Sequence, residues 1–128
     1  MSVKLLFLVA FGGALGAVFR FVMMSGIGHV IQAGFPYSTL VVNVAGSFVL
    51  GLLTEIIEHN WTFGQEFQSF LLVGVLGSFT TFSAFSQDVV FLIESGELSL
   101  AALYIALSVV LSIAGAFAGM FLFRQILV

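Results

Sequence analysis

Four long apolar runs separated by short polar stretches organise this sequence. The first extends from Leu5 to Gly28, with Arg20 as its one charge, and the second from Thr39 to Ile57, with Glu55 near its end. The third, Phe67 to Gln87, is uncharged and continues beyond Asp88 through Val89 to Ile93; the fourth, Leu98 to Phe123, carries no charge. Each is long enough to cross a hydrocarbon core as a helix. Between them, Gly34 to Ser38, Glu58 to Glu66 and Glu94 to Glu97 read as loops. Pro36 and Ser38 are ordinary helix-start residues. Trp61 reads as an interfacial anchor and His59 as a solvated loop residue. The pattern predicts an all-α membrane protein of four transmembrane helices in a single domain, 1–128, with both termini on one side. A signal peptide is the rival for the first run: Lys4, the apolar Leu5 to Ala10 and the small residues of Ala14-Leu-Gly-Ala17 imitate one. The apolar run continues past the would-be cleavage site, which favours a span.

Polar positions inside the runs fall into rows. Thr39, Asn43 and Ser47 recur every four residues along the second span, and Tyr104, Ser108 and Ser112 do so along the fourth, so each trio lines one helix face. Two uses are open for them. Serine in a membrane helix can bond its own i−4 carbonyl, and an asparagine amide serves as glue between helices or as a ligand. Gly12 with Gly16, flanked by Gly13 and Ala17, and Gly115 with Gly119 form small-residue faces where backbones can approach closely. The third run differs from the others. Its centre, Gly74-Val-Leu-Gly-Ser-Phe-Thr-Thr-Phe-Ser-Ala-Phe-Ser86, puts glycines, serines and adjacent threonines at mid-depth, threaded by Phe79, Phe82 and Phe85. Backbone groups freed in hydrocarbon need partners. The stretch therefore predicts a third helix that bends or breaks, with polar groups facing a cavity, an ion or another subunit.

Composition narrows the function. With 61% hydrophobic and 7% charged residues among 128, a soluble domain is excluded. There is no cysteine, hence no disulfide or thiol chemistry. A net charge of −3 offers no basic patch for nucleic acid. No paired histidines and no Gly-rich phosphate loop occur, and the carboxylates lie near span ends or in loops, so an enzyme is not expected. Lys4 and Arg124 fall on the side of the termini, which is a weak bias for that side inside. Arg20, about two-thirds along its span, can snorkel to headgroups or draw anions into a vestibule.

The run Gly-Ser-Phe-Thr-Thr-Phe-Ser-Ala-Phe-Ser, together with Gly12-Gly-Ala-Leu-Gly-Ala-Val-Phe-Arg-Phe21 and Thr39-Leu-Val-Val-Asn-Val-Ala-Gly-Ser-Phe48, resembles the Fluc family of bacterial fluoride channels across nearly the whole chain. Two departures are visible: Gly77-Ser78 stands where the family commonly reads Gly-Gly, and Ala84 replaces a commoner small polar residue. The resemblance implies a fluoride-selective ion channel in the bacterial inner membrane that passes F⁻ passively and lowers cytoplasmic fluoride. It implies a homodimer of dual topology, two copies antiparallel, with a broken third helix. It implies a fluoride pore lined by Asn43, Phe82, Phe85, Tyr104, Ser108, Ser112 and Thr39. It also implies a structural Na⁺ at the dimer interface, held by backbone carbonyls of Gly77 and Thr80, with Arg20 as a candidate vestibule residue. The chemistry is coherent: hydroxyl and amide donors replace an anion's water shell without trapping it, and ring edges of phenylalanine are electropositive. The alternative is a small four-helix proton-coupled exporter. It needs a carboxylate deep in a span, whereas Glu55 and Asp88 sit toward span ends. A purely structural membrane subunit would not require polar rows on separate helices.

Overall fold

The computed structural model of the chain describes residues 2–31, 34–59 and 64–126; Trp61 lies outside them. Four helical spans are long and apolar enough to cross a membrane. α1 is Val3–Val30, α2 is Tyr37–Glu58 and α6 is Leu98–Ile126. The third span, Gln65–Glu94, is composite: α3 (Gln65–Gln68), a π-helix π1 (Ser69–Leu76), a single turn α4 (Gly77–Phe79) and α5 (Phe82–Glu94). These spans exceed the apolar runs by a few residues, because capping groups lie outside the apolar pattern. Ser2 Oγ accepts the Leu5 N–H (3.2 Å) and starts α1 at Val3, ahead of the apolar run that begins at Leu5. At the end of α5, Gly96 has φ +80°, Gly96 N–H donates to Ile93 O (3.0 Å) and Glu97 N–H to Leu92 O (2.8 Å). This is a left-handed glycine cap. The Glu97 carbonyl then accepts from Ala101 N (2.9 Å), so the chain turns straight into α6.

The helices pair as α2 on α6 and α1 on π1 and α4. Glycine makes both pairings possible. A Cβ at Gly51 would run into the Ala116 carbonyl and one at Gly119 into that of Phe48. On the other seam, a Cβ at Gly12 would meet the Phe70 carbonyl and one at Gly16 that of Val75. Backbones at this separation gain dispersion and weak Cα–H···O contacts, which bind helices where lipid offers no hydrophobic drive. Few large side chains are enclosed: Tyr104, Phe123, Glu55 and Val42 are fully buried, while Phe7, Phe21 and Phe91 point outward, as a lipid-facing surface requires.

Glu55 is not a simple end-of-span carboxylate. It is fully buried, and its Oε1 accepts a hydrogen bond from Arg124 Nη2 at the end of α6. His59, expected as a solvated loop residue, caps the C-terminus of α2 and packs its ring 5.8 Å from that of Phe123. It stands just past the helix and partly exposed, as a loop residue should, with its backbone N–H donating to the Glu55 carbonyl (3.1 Å). Lys4 and Glu66 form an exposed pair (3.1 Å) joining α1 to α3.

Candidate functional site

Two residues leave helical geometry inside the third span. Thr80 has φ −82°, ψ 154° and Thr81 φ −149°, ψ 120°, both extended. The local sequence favours this, since adjacent β-branched threonines are poor helix formers and each brings a hydroxyl that can replace a lost helical bond. Thr80 Oγ1 donates to Leu76 O (3.0 Å), and Thr81 Oγ1 accepts the Ala84 N–H (3.0 Å) as the N-cap of α5. Ser83 Oγ lies 3.2 Å from the same Thr81 hydroxyl. The backbone of Thr81 is held from α2: its N–H donates to Asn43 Oδ1 (2.8 Å), and Asn43 Nδ2 donates to its carbonyl (3.0 Å). Asn43 thus acts as glue between helices, and its amide keeps a second N–H for a ligand.

These bonds redirect two others. In a continuous helix the Gly77 and Thr80 carbonyls would accept from Thr81 N and Ala84 N. Those amides donate instead to Asn43 Oδ1 and Thr81 Oγ1. The two carbonyls lose their helical partners at the same point of the span.

Asn43, Gly77, Thr80, Phe82, Phe85, Ser108 and Ser112 all line one open groove of about 460 Å³, together with Ser47. The groove is mostly apolar, with polar groups contributed by α2, the extended segment and α6. Phe82 is 78% exposed at its mouth, and its ring lies 5.4 Å from that of Phe85 at an interplanar angle of 46°. Thr39 and Tyr104 are not in the groove but beneath one end of it, both buried. The Tyr104 hydroxyl donates to Asp88 Oδ2 (2.9 Å), with Phe35 edge-on at 5.5 Å and Phe85 at 5.2 Å. Thr39 and Ser108 stand beside that hydroxyl, yet Ser108 Oγ is buried without a hydrogen-bond partner among the described residues. Arg20 is elsewhere, in a second groove with Phe21, Met24, Ser25 and Ser38.

Sequence reasoning passed over Asp88 as a partner of Tyr104, although spacing leaves a signal: Asp88 follows Phe85 by one turn of α5, so the two share a face that meets Tyr104. Thr81 was visible in the polar stretch, but not that Asn43 would clasp it. Ser47 was visible in the α2 row, and the groove adds it to the site. Chemically the groove offers neutral donors and aromatic rings, and its lining carries no full positive charge. It can hold a small anion weakly in several places.

Residues 7–120 match the family of CrcB-like proteins, described as Camphor Resistance (CrcB). The chain belongs to this CrcB, or Fluc, family. All three motifs quoted above lie inside the matched region. A relative from Rhodospirillum centenum named fluoride-specific ion channel FluC is 48% identical over 121 residues, covering 94% of this chain and 96% of the relative. Proteins of the same name from Agrobacterium fabrum and Rhodopseudomonas palustris are 50% and 46% identical, each over 93% of this chain and over 95% and 96% of their own length. The CrcB relatives carry the name of an ion channel, not of an enzyme.

Proposed function

We propose that this chain is a fluoride-selective channel of the bacterial inner membrane, through which F⁻ leaves passively and cytoplasmic fluoride falls. The observation that carries the reading is the groove itself. It brings an Asn43 N–H and the buried Ser108 hydroxyl, neither with a hydrogen-bond partner among the described residues, together with Ser112 and the Phe82 and Phe85 rings, in a chain nearly half identical to relatives named as fluoride channels. Fluoride leaving water exchanges its shell for these donors in turn. Because none is a full charge, each holds the ion weakly enough for it to move on. Phe82 and Phe85 turn electropositive edges to it across otherwise apolar wall. Thr39 continues the donor row behind the groove, Tyr104 joins it by turning its one hydroxyl proton from Asp88 to the ion, and Arg20 in its separate groove raises the local anion concentration as a vestibule residue.

The groove is open along one side, and Phe82 at its mouth is exposed beside polar groups that lipid cannot satisfy. A second copy, antiparallel, closes it in this reading, giving a dual-topology homodimer in which the third span works as a broken helix. The two carbonyls released at Gly77 and Thr80 fit a small hard cation. They would hold a structural Na⁺ at the dimer interface, supplying positive charge to a pore that has none of its own. The proton-coupled exporter is not favoured, because the buried carboxylate Glu55 is already neutralised by Arg124.

Purified protein in liposomes should release fluoride and retain chloride; equal loss of both ions, or of neither, refutes the channel. Single cysteines near residues 2 and 126 should label from both faces of the membrane, and labelling from one face alone ends the dual-topology reading. Dimer stability should rise with Na⁺, and indifference of both stability and flux to complete Na⁺ removal ends the cation site.

A further inference from the structure

The donor row ends at two side chains that water does not reach. Thr39, in the first turn of α2, stands beside the hydroxyl of Tyr104, in the second turn of α6, and the two are 2% and 0% exposed. Phe35, in the short chain that leads into α2, packs on the buried cluster of Leu40, Leu92, Ala101 and Tyr104. Its ring stands perpendicular to that of Tyr104 (5.5 Å, 87°) and 4.9 Å from that of Tyr37. The local sequence holds it there. Pro36 sits at φ −80°, ψ 67°, and Tyr37 N–H donates to Phe35 O (2.9 Å). This is an inverse γ-turn, for which proline supplies the φ.

We propose that Phe35 is a residue of the ion path: its ring closes the end of the path at Tyr104, and an ion crosses that end when the ring swings aside. The inference rests on the channel reading, in which fluoride passes Thr39 and Tyr104. A path needs an opening, and the donors at this end have none. Two groups flank Tyr104 toward the starts of α2 and α6. Asp88 is a carboxylate at its hydroxyl, and like charge makes that a poor way out for an anion. Phe35 carries no charge. It is also held by a turn, whereas Phe85, Val89, Leu100 and Leu107, which pack on the same cluster, belong to α5 and α6. Its side chain can therefore move without unwinding a span. An apolar ring across a narrow passage keeps the passage dry until it is displaced.

The chain has no cysteine, so Thr39→Cys in the full-length protein, reconstituted in liposomes, carries a single thiol at the covered position. A small water-soluble methanethiosulfonate should modify it slowly with Phe35 in place and at least ~10-fold faster with Phe35→Ala. Phe35→Leu, which keeps an apolar plug, should stay slow. Val42→Cys, at a fully buried position of α2, should stay unmodified in both backgrounds; if Phe35→Ala exposes it too, the ring only holds the bundle together and the proposal falls. With Thr39 intact, Phe35→Ala should raise fluoride efflux severalfold, and efflux equal to or below that of the wild type overturns the role of Phe35 in the path. A wild type that releases no fluoride ends the channel reading and this proposal with it. Wild-type release, with labelling still slow in Phe35→Ala, ends this proposal alone. If Phe35→Ala does not fold, Pro36→Gly, which keeps the ring and frees its turn, takes its place with the same expected rises and the same refuting results.

Discussion

The α2–α6 seam and the seam between α1 and the third span use the same device with different results. In both, glycine lets one backbone rest on the carbonyls of another: Gly51 and Gly119 in the first, Gly12 and Gly16 in the second. The first joins two regular helices and runs on to an ion pair between buried Glu55 and half-exposed Arg124. The second rests on a π-helix, whose wider turn commonly accompanies functional sites. It is finished by stacked Phe11 and Phe70 rings (5.9 Å, 19°) and a solvent-exposed pair, Lys4–Glu66. Beyond π1 the chain manages one more turn and then goes extended at Thr80 and Thr81. The α2–α6 pair is regular throughout, and the irregular backbone along the groove belongs to the other pair. One helix, α2, reaches across from the regular pair to hold the irregular one through Asn43.

The sharpest way to break this contrast is Gly51→Ala, which drives a methyl into the Ala116 backbone where neither helix can yield. A loss of about 3 kcal/mol is expected from overpacking of this kind, read as a large fall in thermal midpoint and folded yield. Gly26→Ala, with nothing within 4 Å of the added methyl, is the control and should be neutral or slightly stabilising. Next comes the bridge between the two pairs. Asn43→Ala orphans both backbone groups of Thr81 and should cost about 1–3 kcal/mol while lowering fluoride flux by tenfold or more. Asn43→Asp, which keeps the acceptor and loses the donor, should also lose flux. Wild-type flux in either would leave Asn43 as glue alone. Phe82→Ile and Phe85→Ile sharpen the comparison within the groove. Both should reduce flux, but only Phe85, which touches Tyr104, should cost stability. Ser108→Ala should reduce flux less. The smallest effect is expected from Lys4→Ala: an ion pair with side chains 69% and 52% exposed should change stability by no more than about 0.5 kcal/mol.

Hydropathy made the four spans and their order legible, because apolar length reports depth in a bilayer. It left direction around each helix largely unread. The rows on α2 and α6 were visible as spacing, but the sequence does not say that Thr39 and Tyr104 are buried beneath the groove while Asn43 and Ser112 line it. Tyr104 belongs to its helix row in spacing and to Asp88 in bonding. The π-helix was hidden, since Ser69 to Leu76 reads as any apolar helix, and the glycines its backbone rests on, Gly12 and Gly16, lie far away in α1. Glu55 and Arg124 are 69 residues apart, and Asn43 and Thr81 are 38 apart. No local periodicity joins such pairs. The clustered glycine, threonine and serine did mark where the third span leaves helical geometry, at Thr80 and Thr81, because unsatisfied backbone in hydrocarbon is costly enough to leave a mark in composition.

The clasp of Asn43 on Thr81 has a wider consequence. Opposed residues in an antiparallel β-ladder can exchange two N–H···O bonds, one in each direction. Asn43 makes that same two-way exchange with Thr81, but from a side chain on a helix. It is one rung of a ladder with no second strand. Open sheet edges do not survive in lipid, so a membrane protein built of helices ordinarily has no use for extended backbone. A single carboxamide, offering donor and acceptor at the spacing of a peptide group, lets this chain keep a strand-like residue in the middle of a bilayer.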